Sequence, residues 1–275
     1  MTSTDNKQSV FFVSDRTGKT AQSIGLSLLT QFNSVAFIHK NHSFITSVED
    51  AKKVAEAIEQ SYREEGKPPI VISTIVDKAV EMEISQTGAC LISLFNEFIG
   101  PLERVLGVKS SHSTGVPHKG FDDQEYLSRI DAIDYTLRAD DGMLTHQLDE
   151  ADVILVGVSR SAKTPTCLYL AMNFSLKAAN YPLTEDDLDK PELPAFLEPH
   201  LDKVVGLTIN ADRLAAIRQQ RRPNSDYASL ANCQSQVLKA RKMMERANIS
   251  MFDSSSISIE EIAVRIAKDK DLLIK

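Results

Sequence analysis

One stretch determines the fold class of this chain: Ala151-Asp-Val-Ile-Leu-Val-Gly157-Val-Ser-Arg-Ser-Ala-Lys163-Thr164-Pro165. Its unbroken apolar run, Val153 to Val156, predicts a strand that is buried on both faces, as the strands of parallel sheets are. Pro165 suits the first turn of a helix, where its missing N–H costs nothing. The stretch therefore predicts a buried strand, a tight loop and a helix. Unpaired N–H groups at such a helix start attract an anion.

The loop nearly matches the phosphate-binding pattern G-x-x-x-x-G-K-[ST]. Gly157, Lys163 and Thr164 fit this pattern, but Ala162 stands where the second glycine belongs. A Cβ there disfavours a positive φ and close approach to phosphate, which weighs against an ordinary nucleoside triphosphatase. The alternative is a simple turn whose lysine faces solvent. The candidate nucleotide- or phosphate-binding residues are Gly157, Val158, Ser159, Arg160, Ser161, Ala162, Lys163 and Thr164, with Thr164 also the candidate Mg²⁺ ligand.

A second loop, Ser14-Asp-Arg-Thr-Gly18-Lys19-Thr20, also ends in Gly-Lys-Thr between a predicted strand and a predicted helix. Val13 stands five positions before Gly18, so the first glycine of the pattern is absent and the loop is short. The similarity between the two loops has three explanations: chance, a distant repeat or a second anion site. Chance or an auxiliary anion contact is favoured.

Composition limits the class of protein. The 275 residues are enough for one large or two small domains, and 42% hydrophobic with 25% charged residues is ordinary globular composition. A net charge of −7 without a basic run weighs against a nucleic-acid partner. No apolar stretch reaches the roughly 20 residues that span a bilayer, and no secretion signal is recognisable. We therefore expect a cytoplasmic protein without membrane association. The sequence is also compatible with a homo-oligomer.

Strand and helix patterns alternate along the chain, which predicts an α/β fold with mostly parallel sheets and flanking helices. The predicted domains are an N-terminal α/β domain (1–107), a linker with a connecting helix (108–150) and a phosphate-loop-like kinase domain (151–275). The predicted elements that follow the first helix are strand Ser34–Ile38, helix Val48–Glu65, strand Pro69–Val76, helix Leu91–Leu106 kinked or divided at Gly100-Pro101, helix Gln124–Ala139, strands near Val153 and Ala178, strand Val204–Ile209, a helix capped by Asn210, helix Leu230–Ala247, strand Ile249–Phe252 and a helix capped by Ser258.

Other polar residues are candidates for chemistry. Asp140 and Asp141 end a predicted helix shortly before the buried strand, where carboxylates could bind Mg²⁺ or orient a hydroxyl nucleophile. Asp-Asp-Gly is equally a standard helix stop. His112 and His118 are either phosphate contacts, proton carriers or solvated loop residues. A set of arginines is interpreted either as phosphate contacts or as a solvated helix face: Arg213, Arg218, Arg221 and Arg222.

Segments over nearly the whole chain match one protein family. They are Val13-Ser-Asp15 with Thr17, Tyr126 with Arg129-Ile-Asp-Ala-Ile-Asp134, Asp140-Asp-Gly142, Val153-Ile-Leu-Val-Gly-Val-Ser-Arg160, Lys163-Thr-Pro-Thr166, Leu168-Tyr-Leu-Ala-Met172, Ala178-Ala-Asn-Tyr-Pro182, Gly206-Leu-Thr-Ile209, Arg213-Leu-Ala-Ala-Ile-Arg218, Arg221-Arg222 with Asn224-Ser225, and Tyr227-Ala-Ser-Leu230. On these segments the chain resembles the regulatory proteins of phosphoenolpyruvate synthase and of pyruvate, phosphate dikinase. The last two segments favour the synthase branch.

The resemblance implies a bifunctional serine/threonine kinase and phosphorylase. ADP would donate its β-phosphoryl group to a threonine of phosphoenolpyruvate synthase whose catalytic histidine is phosphorylated, and so inactivate that enzyme. Inorganic phosphate would attack the phosphothreonine, release pyrophosphate and restore activity. Gly157 to Thr164 would hold the nucleotide or phosphate, and this family tolerates a residue such as Ala162 before the lysine. The Gly18-Lys19 pair is not part of the resemblance.

The resulting hypothesis assigns catalysis to Lys163 with Asp140 or Asp141, and names ADP, inorganic phosphate and Mg²⁺ as ligands. Three alternatives remain open at the level of sequence. The target could be the related dikinase. The loop could belong to a nucleotide-binding sensor without catalysis. The protein could be a small-metabolite kinase that uses ATP.

Overall fold

The computed structural model describes residues 7–111 and 123–272. The chain divides into two compact units, Met1–Lys119 and Gly120–Lys275. Each unit contains a four-stranded sheet in which all neighbouring strands run parallel. Helices flank both sheets. The predicted α/β class with parallel sheets is therefore confirmed.

The sheet of the first unit has the strand order β2-β1-β3-β4. Strand β1 is central, and five of its seven residues are buried because helices cover both faces. The elements of this unit are β1 (Lys7–Val13), α1 (Lys19–Leu29), β2 (Ala36–His42), α2 (Val48–Glu65), β3 (Ile70–Ser73), α3 (Lys78–Ser85), β4 (Cys90–Ser93) and α4 (Leu94–Leu106).

The sheet of the second unit has the order β6-β5-β7-β8, and every residue of its central strand β5 is buried. Short 3-10 turns connect several of its elements. The elements of this unit are α5 (Asp123–Arg138), β5 (Val153–Val158), α6 (Lys163–Phe174), β6 (Ala178–Leu183), α7 (Glu185–Leu188), β7 (Val204–Thr208), α8 (Ala211–Arg221), α9 (Leu230–Arg246), β8 (Met251–Asp253) and α10 (Ile259–Asp269).

The two sheets share one strand order, because in each the first strand lies between the second and the third. In such open parallel sheets ligands bind at the carboxyl edge, where the strand order reverses. The loop after β1 and the loop after β5 both lie at that position. Each loop ends in a left-handed residue that caps the next helix, Gly18 with φ 76° and Ala162 with φ 67°. The similarity between the two sequences thus corresponds to equivalent positions in two similar sheets.

The prediction of one helix over Leu91–Leu106 is wrong at its start. Residues Cys90–Ser93 form β4, which pairs with β3, and α4 begins only at Leu94. A short apolar run fits a strand or a buried helix equally well, and pairing with β3 selects the strand. Of the two predicted effects of Gly100-Pro101, a kink or a division, the division is wrong, because α4 continues through Pro101 to Leu106.

Other boundaries follow local chemistry closely. Helix α2 has the predicted limits and is capped by Ser47, whose side chain accepts a hydrogen bond from the N–H of Asp50. Asn210 and Ser258 cap α8 and α10 as predicted. Strand β3 is shorter than the predicted Pro69–Val76. Within the part of the chain that the structure describes, no helix has both the length and the apolar character needed to cross a membrane.

Candidate functional site

Gly157 lies inside β5, where the sheet requires a residue without a side chain. A Cβ on Gly157 would stand 2.2 Å from the carbonyl oxygen of Leu207 on the neighbouring strand β7, and φ is 154°. The same Cβ would approach the Oγ of Ser161 to 3.1 Å. The first glycine of the sequence pattern therefore has a packing role: it lets β7 and the following loop approach β5 closely.

The β5–α6 loop (Ser159–Ala162) contains two residues in the left-handed region. Arg160 has φ 76° and Ala162 has φ 67°. This conformation costs an L-residue about 1–2 kcal/mol. Ala162 adopts it although the sequence predicts that its Cβ disfavours a positive φ. Because α6 begins directly after Ala162, the first N–H groups of the helix have no partner inside the helix and are available to an anion.

Lys163, the first residue of α6, points inward. Its side chain is 5% exposed, and its Nζ donates a hydrogen bond to the carbonyl oxygen of Val158 at 2.9 Å. Burial lowers the pKa of Lys163 to about 8, although the Cys167 thiol and the carboxylates of Asp141 and Asp140 act in the opposite direction. The alternative of a solvent-facing lysine is therefore wrong. Lys163 is a buried cation behind the loop.

Thr164, Asp140 and Asn180 form a hydrogen-bonded group beside Lys163. The Thr164 hydroxyl donates to the Oδ1 of Asp140 at 2.8 Å, and the Asn180 side-chain amide donates to Thr164 at 3.1 Å. The same amide also donates to Asp140. Among the described residues, the buried Oδ1 of Asn180 has no hydrogen-bond partner. Asp140 is thus fixed in place by two donors.

Sequence reasoning did not identify Asn180 as a site residue. A signal was present, because Asn180 is a polar residue inside the strand Ala178–Leu183, where a buried amide needs partners. Its partners are on α6 and on the turn after α5, which sequence alone does not bring together. The family resemblance included this residue within a longer segment but gave it no role.

Asp141 differs from its neighbour because its side chain is exposed. Its backbone is left-handed with φ 50°, and that of Gly142 is also left-handed with φ 74°. A Cβ on Gly142 would stand 2.8 Å from the ring of Tyr181, so this glycine allows the turn to pack against the aromatic ring. Within residues 7–111 and 123–272, the Asp141 carboxylate has no hydrogen bond or ion pair. It is available to a ligand.

A cavity of about 560 Å³ joins these groups. Its size is within the range of small-molecule sites, about 300–1,000 Å³. The residues around it are Asp140, Asp141, Ser159, Arg160, Ala162, Lys163, Thr164, Pro165, Pro182, Ile217 and Arg221. The structure therefore brings both predicted aspartates and most of the predicted loop to one cavity. Gly157, Val158 and Ser161 do not line it; the Ser161 hydroxyl is fully buried and has no partner among the described residues.

The predicted arginines have different environments. Arg218 is fully buried, so the interpretation as a solvated helix face is wrong for this residue. Arg221 lines the cavity. Arg213 is exposed and donates to the carbonyl oxygen of Ser255. Arg222 lies 5.9 Å from the ring centre of Tyr227. Only Arg218 and Arg221 are close to the loop.

The remaining candidates lie elsewhere. His112 and His118 fall outside the described residues. In the first unit, Lys19 is exposed, and a cavity of about 240 Å³ beside the Ser14–Gly18 loop is lined by Asp15, Arg16, Phe44, Ile45, Thr46, Asp77 and Val80. Within the described ranges, no three His, Cys, Asp or Glu side chains are grouped so that they could hold a metal ion.

Comparison with known proteins agrees with a phosphate-handling site. The sequence model of the family described as kinase/pyrophosphorylase matches residues 10–267. The chain belongs to the kinase/pyrophosphorylase family. This match includes every residue of the cavity in the second unit.

Curated relatives of this family are similar over nearly their full length. A protein of Bordetella parapertussis is 44% identical over 272 residues, which cover 99% of each chain. A protein of Ectopseudomonas mendocina is 43% identical over 264 residues, or 96% of this chain and 97% of the relative. Both carry the name "Putative phosphoenolpyruvate synthase regulatory protein". Membership of the kinase/pyrophosphorylase family supports a phosphotransfer activity.

Proposed function

We propose that this protein reversibly phosphorylates a threonine of phosphoenolpyruvate synthase, with ADP as donor in one direction and inorganic phosphate as acceptor in the other. The observation that carries the proposal is the pairing of a buried cation with a free carboxylate across one cavity. Lys163 lies behind the helix start, and Asp141 is unpaired within the described chain. Phosphoryl transfer requires charge neutralisation and a group that handles the proton of a hydroxyl.

In the kinase direction, the threonine hydroxyl attacks the β-phosphorus of ADP. The bond between that phosphorus and the bridging oxygen breaks, and AMP leaves. Asp141 accepts the hydroxyl proton, since its carboxylate is exposed and faces the cavity. Lys163 and the first N–H groups of α6 balance the charge on the transferred group.

In the phosphorylase direction, an oxygen of inorganic phosphate attacks the phosphothreonine. The bond to the threonine oxygen breaks, pyrophosphate forms, and the carboxylic acid of Asp141 returns a proton to the threonine. Both directions thus transfer a phosphoryl group between a threonine oxygen and a phosphate oxygen. One anion site with one proton-handling carboxylate serves both.

The residues beside Lys163 suit Mg²⁺, which prefers oxygen ligands. The Thr164 hydroxyl and a carboxylate oxygen of Asp140 lie 2.8 Å apart, and the buried Oδ1 of Asn180 lacks a partner among the described residues. Thr164 and Asp140 would hold the ion, and Asp141 faces the same cavity. When bound, it would add positive charge beside the phosphates.

The choice of target rests on the relatives. Their printed name refers to the regulation of phosphoenolpyruvate synthase. With 43–44% identity over nearly the whole chain, this enzyme is the favoured substrate, and we expect the protein to act in the cytoplasm beside it. The related dikinase is the alternative target.

A target assay tests the proposal. Phosphoenolpyruvate synthase, first phosphorylated on its catalytic histidine, is incubated with the protein and ADP, and phosphothreonine and AMP are measured by mass spectrometry. The product is then incubated with phosphate, and pyrophosphate is measured. We expect Lys163→Ala to lower both rates by about 10²–10³, the effect of removing one charge-stabilising donor. Lys19→Ala, which alters the exposed lysine of the similar loop, should retain both rates.

Other outcomes identify the alternatives. ADP binding without phosphothreonine on either the synthase or the dikinase would support a nucleotide sensor. Turnover of ATP without a protein substrate would support a small-metabolite kinase. Unchanged rates in Lys163→Ala would contradict the proposed site.

A further inference from the structure

Arg218 has an unusual position for a charged side chain. It is one of the largest fully buried side chains among the described residues, and it lies on α8 beneath the β5–α6 loop. Within residues 7–111 and 123–272, no carboxylate forms an ion pair with it. A buried charge without an opposite charge is costly unless its surroundings or a ligand compensate it.

The guanidinium of Arg218 connects the loop to the segment after α8. One terminal nitrogen donates to the carbonyl oxygen of Ser159 at 3.1 Å, and the other donates to that of Tyr227 at 3.1 Å. The guanidinium carbon lies 4.1 Å from the centre of the Tyr227 ring. The hydroxyl groups of Ser159 and Tyr227 are themselves hydrogen-bonded at 3.1 Å. The first residue of the loop is therefore held at its carbonyl and at its side chain.

These contacts fix the direction of the loop at its origin. The carbonyl oxygen of Ser159 accepts a hydrogen bond from Arg218, and a carbonyl oxygen without such a donor would repel an anion at the loop. The next residue, Arg160, is left-handed with φ 76°. A guanidinium fork can hold two acceptors in one plane, which a single ammonium group cannot do.

Arg218 also acts on the electrostatics of the loop. Arg218 donates to the carbonyl oxygen of Ser159 and Lys163 donates to that of Val158, so two buried cations lie close to one loop. Their mutual repulsion is relieved when an anion is bound between the loop and the cavity. The buried Nε of Arg218 has no hydrogen-bond partner among the described residues, which leaves its charge incompletely balanced.

We propose that Arg218 is a positioning residue of the phosphate site: its buried guanidinium holds the Ser159 carbonyl away from the anion and places a fixed positive charge beneath the β5–α6 loop. This inference rests on the proposed function, since it assumes that the loop binds the phosphate groups of ADP and inorganic phosphate. Arg218 does not touch the cavity and acts through Ser159 and through its charge.

The test compares phosphate and ADP binding, by isothermal titration calorimetry, in the full-length wild type and three variants. Arg218→Met removes the charge with little change of volume. Arg218→Lys keeps the charge but loses the fork. Arg213→Met is the matched control, because Arg213 lies on the same helix, is exposed and is not among the residues that line the cavity. Circular dichroism and thermal unfolding establish that each variant is folded.

We expect Arg213→Met to bind like the wild type and both Arg218 variants to bind phosphate and ADP about tenfold more weakly, a ratio that corresponds to about 1.4 kcal/mol. A second readout is the split between the KM for ADP and kcat in the kinase assay. A positioning role predicts that both Arg218 variants raise the KM for ADP about tenfold and retain kcat, and that Arg213→Met changes neither.

A folded Arg218→Met with wild-type affinity and an unchanged KM for ADP would overturn the inference. If Arg218→Met does not fold, Arg218→Lys decides the test, because wild-type affinity in that variant would contradict the role of the fork. A folded Arg218 variant that loses kcat at an unchanged KM for ADP would likewise contradict the positioning role. A wild type that binds neither phosphate nor ADP would instead contradict the proposed function.

Discussion

At the scale of single residues, the burial of Lys163 determines how the site should respond to pH. Burial lowers its pKa to about 8, from an ordinary value near 10.5. The protonated form attracts phosphate, and the neutral form does not. Affinity for ADP should therefore be highest below pH 8 and decrease as the pH rises through about 8.

Calorimetric titration of ADP between pH 7 and 10 measures this dependence. The phosphate groups of ADP are fully ionised over the upper part of this range, so the change reports on the protein. In Lys163→Met the affinity should be low and nearly independent of pH. A wild-type profile that stays flat to pH 10 would show that the charge of Lys163 does not control binding.

The two adjacent aspartates should have different roles, because only one of them is free. Asp140 is hydrogen-bonded to Thr164 and Asn180, whereas Asp141 has no partner within the described chain. We expect Asp141→Asn to lower kcat in both directions by about 10²–10⁴, the usual contribution of a proton-transferring group, with little change in ADP affinity. Asp140→Asn should mainly weaken ADP and Mg²⁺ binding.

Single-turnover rates and ADP dissociation constants separate these two effects. Because both changes are isosteric, circular dichroism should detect no loss of structure. Full activity of Asp141→Asn in both directions would remove Asp141 from the mechanism. The opposite pattern, in which Asp140→Asn loses turnover and retains binding, would assign the proton transfer to Asp140.

At the scale of elements, the close contact between β5 and β7 depends on Gly157. In Gly157→Ala the new Cβ would meet the Leu207 carbonyl oxygen at 2.2 Å, so the two strands must separate. We expect a loss of about 1–3 kcal/mol in the free energy of unfolding, as for other overpacked cores. ADP binding should also weaken, because the β5–α6 loop begins at the end of this strand. Urea denaturation and titration of ADP measure the two effects.

Ala162→Gly is the matched control at the other end of the same loop. Ala162 is left-handed with φ 67°, which glycine adopts without strain. The relief of about 1–2 kcal/mol offsets the higher flexibility of glycine in the unfolded chain, so stability should change by less than about 1 kcal/mol. ADP binding should be retained. A large loss of binding in Ala162→Gly would mean that the alanine methyl group itself contributes to the site.

At the scale of the whole molecule, each of the two units has its own sheet and its own buried core. Domains with separate cores commonly unfold as separate cooperative units. We expect two calorimetric transitions. ADP should raise the midpoint temperature of only one of them, the transition that belongs to the second unit. Ile58→Ala and Leu170→Ala, which truncate fully buried side chains in the first and second unit, should each destabilise one transition by about 2–5 kcal/mol.

Differential scanning calorimetry with and without ADP tests this expectation. Leu170→Ala should lower the midpoint temperature of the same transition whose midpoint ADP raises. Ile58→Ala should leave the midpoint of that transition and the affinity for ADP unchanged. The expectation of independent units would be contradicted by a single transition whose midpoint temperature is lowered by both substitutions and raised by ADP.

Local sequence patterns predicted the parallel α/β class, the helix caps at Asn210 and Ser258, and the strand–loop–helix at Lys163. These features depend on burial, capping and turn chemistry within short segments. A continuous apolar run implies a doubly covered strand wherever it lies in the chain. The same local information failed at Cys90–Ser93, where pairing with β3 selected a strand over a helix.

Contacts between distant segments of the chain determine which polar groups lie together. Asp140, Thr164 and Asn180 are separated by up to 40 positions in the sequence, and they meet because β6 lies beside β5 and next to the turn after α5. The sequence left open whether Lys163 and Arg218 face solvent. In the structure both are buried cations next to the β5–α6 loop. Such burial depends on contacts between elements that are distant in the chain, so the pattern of residues within one element does not predict it.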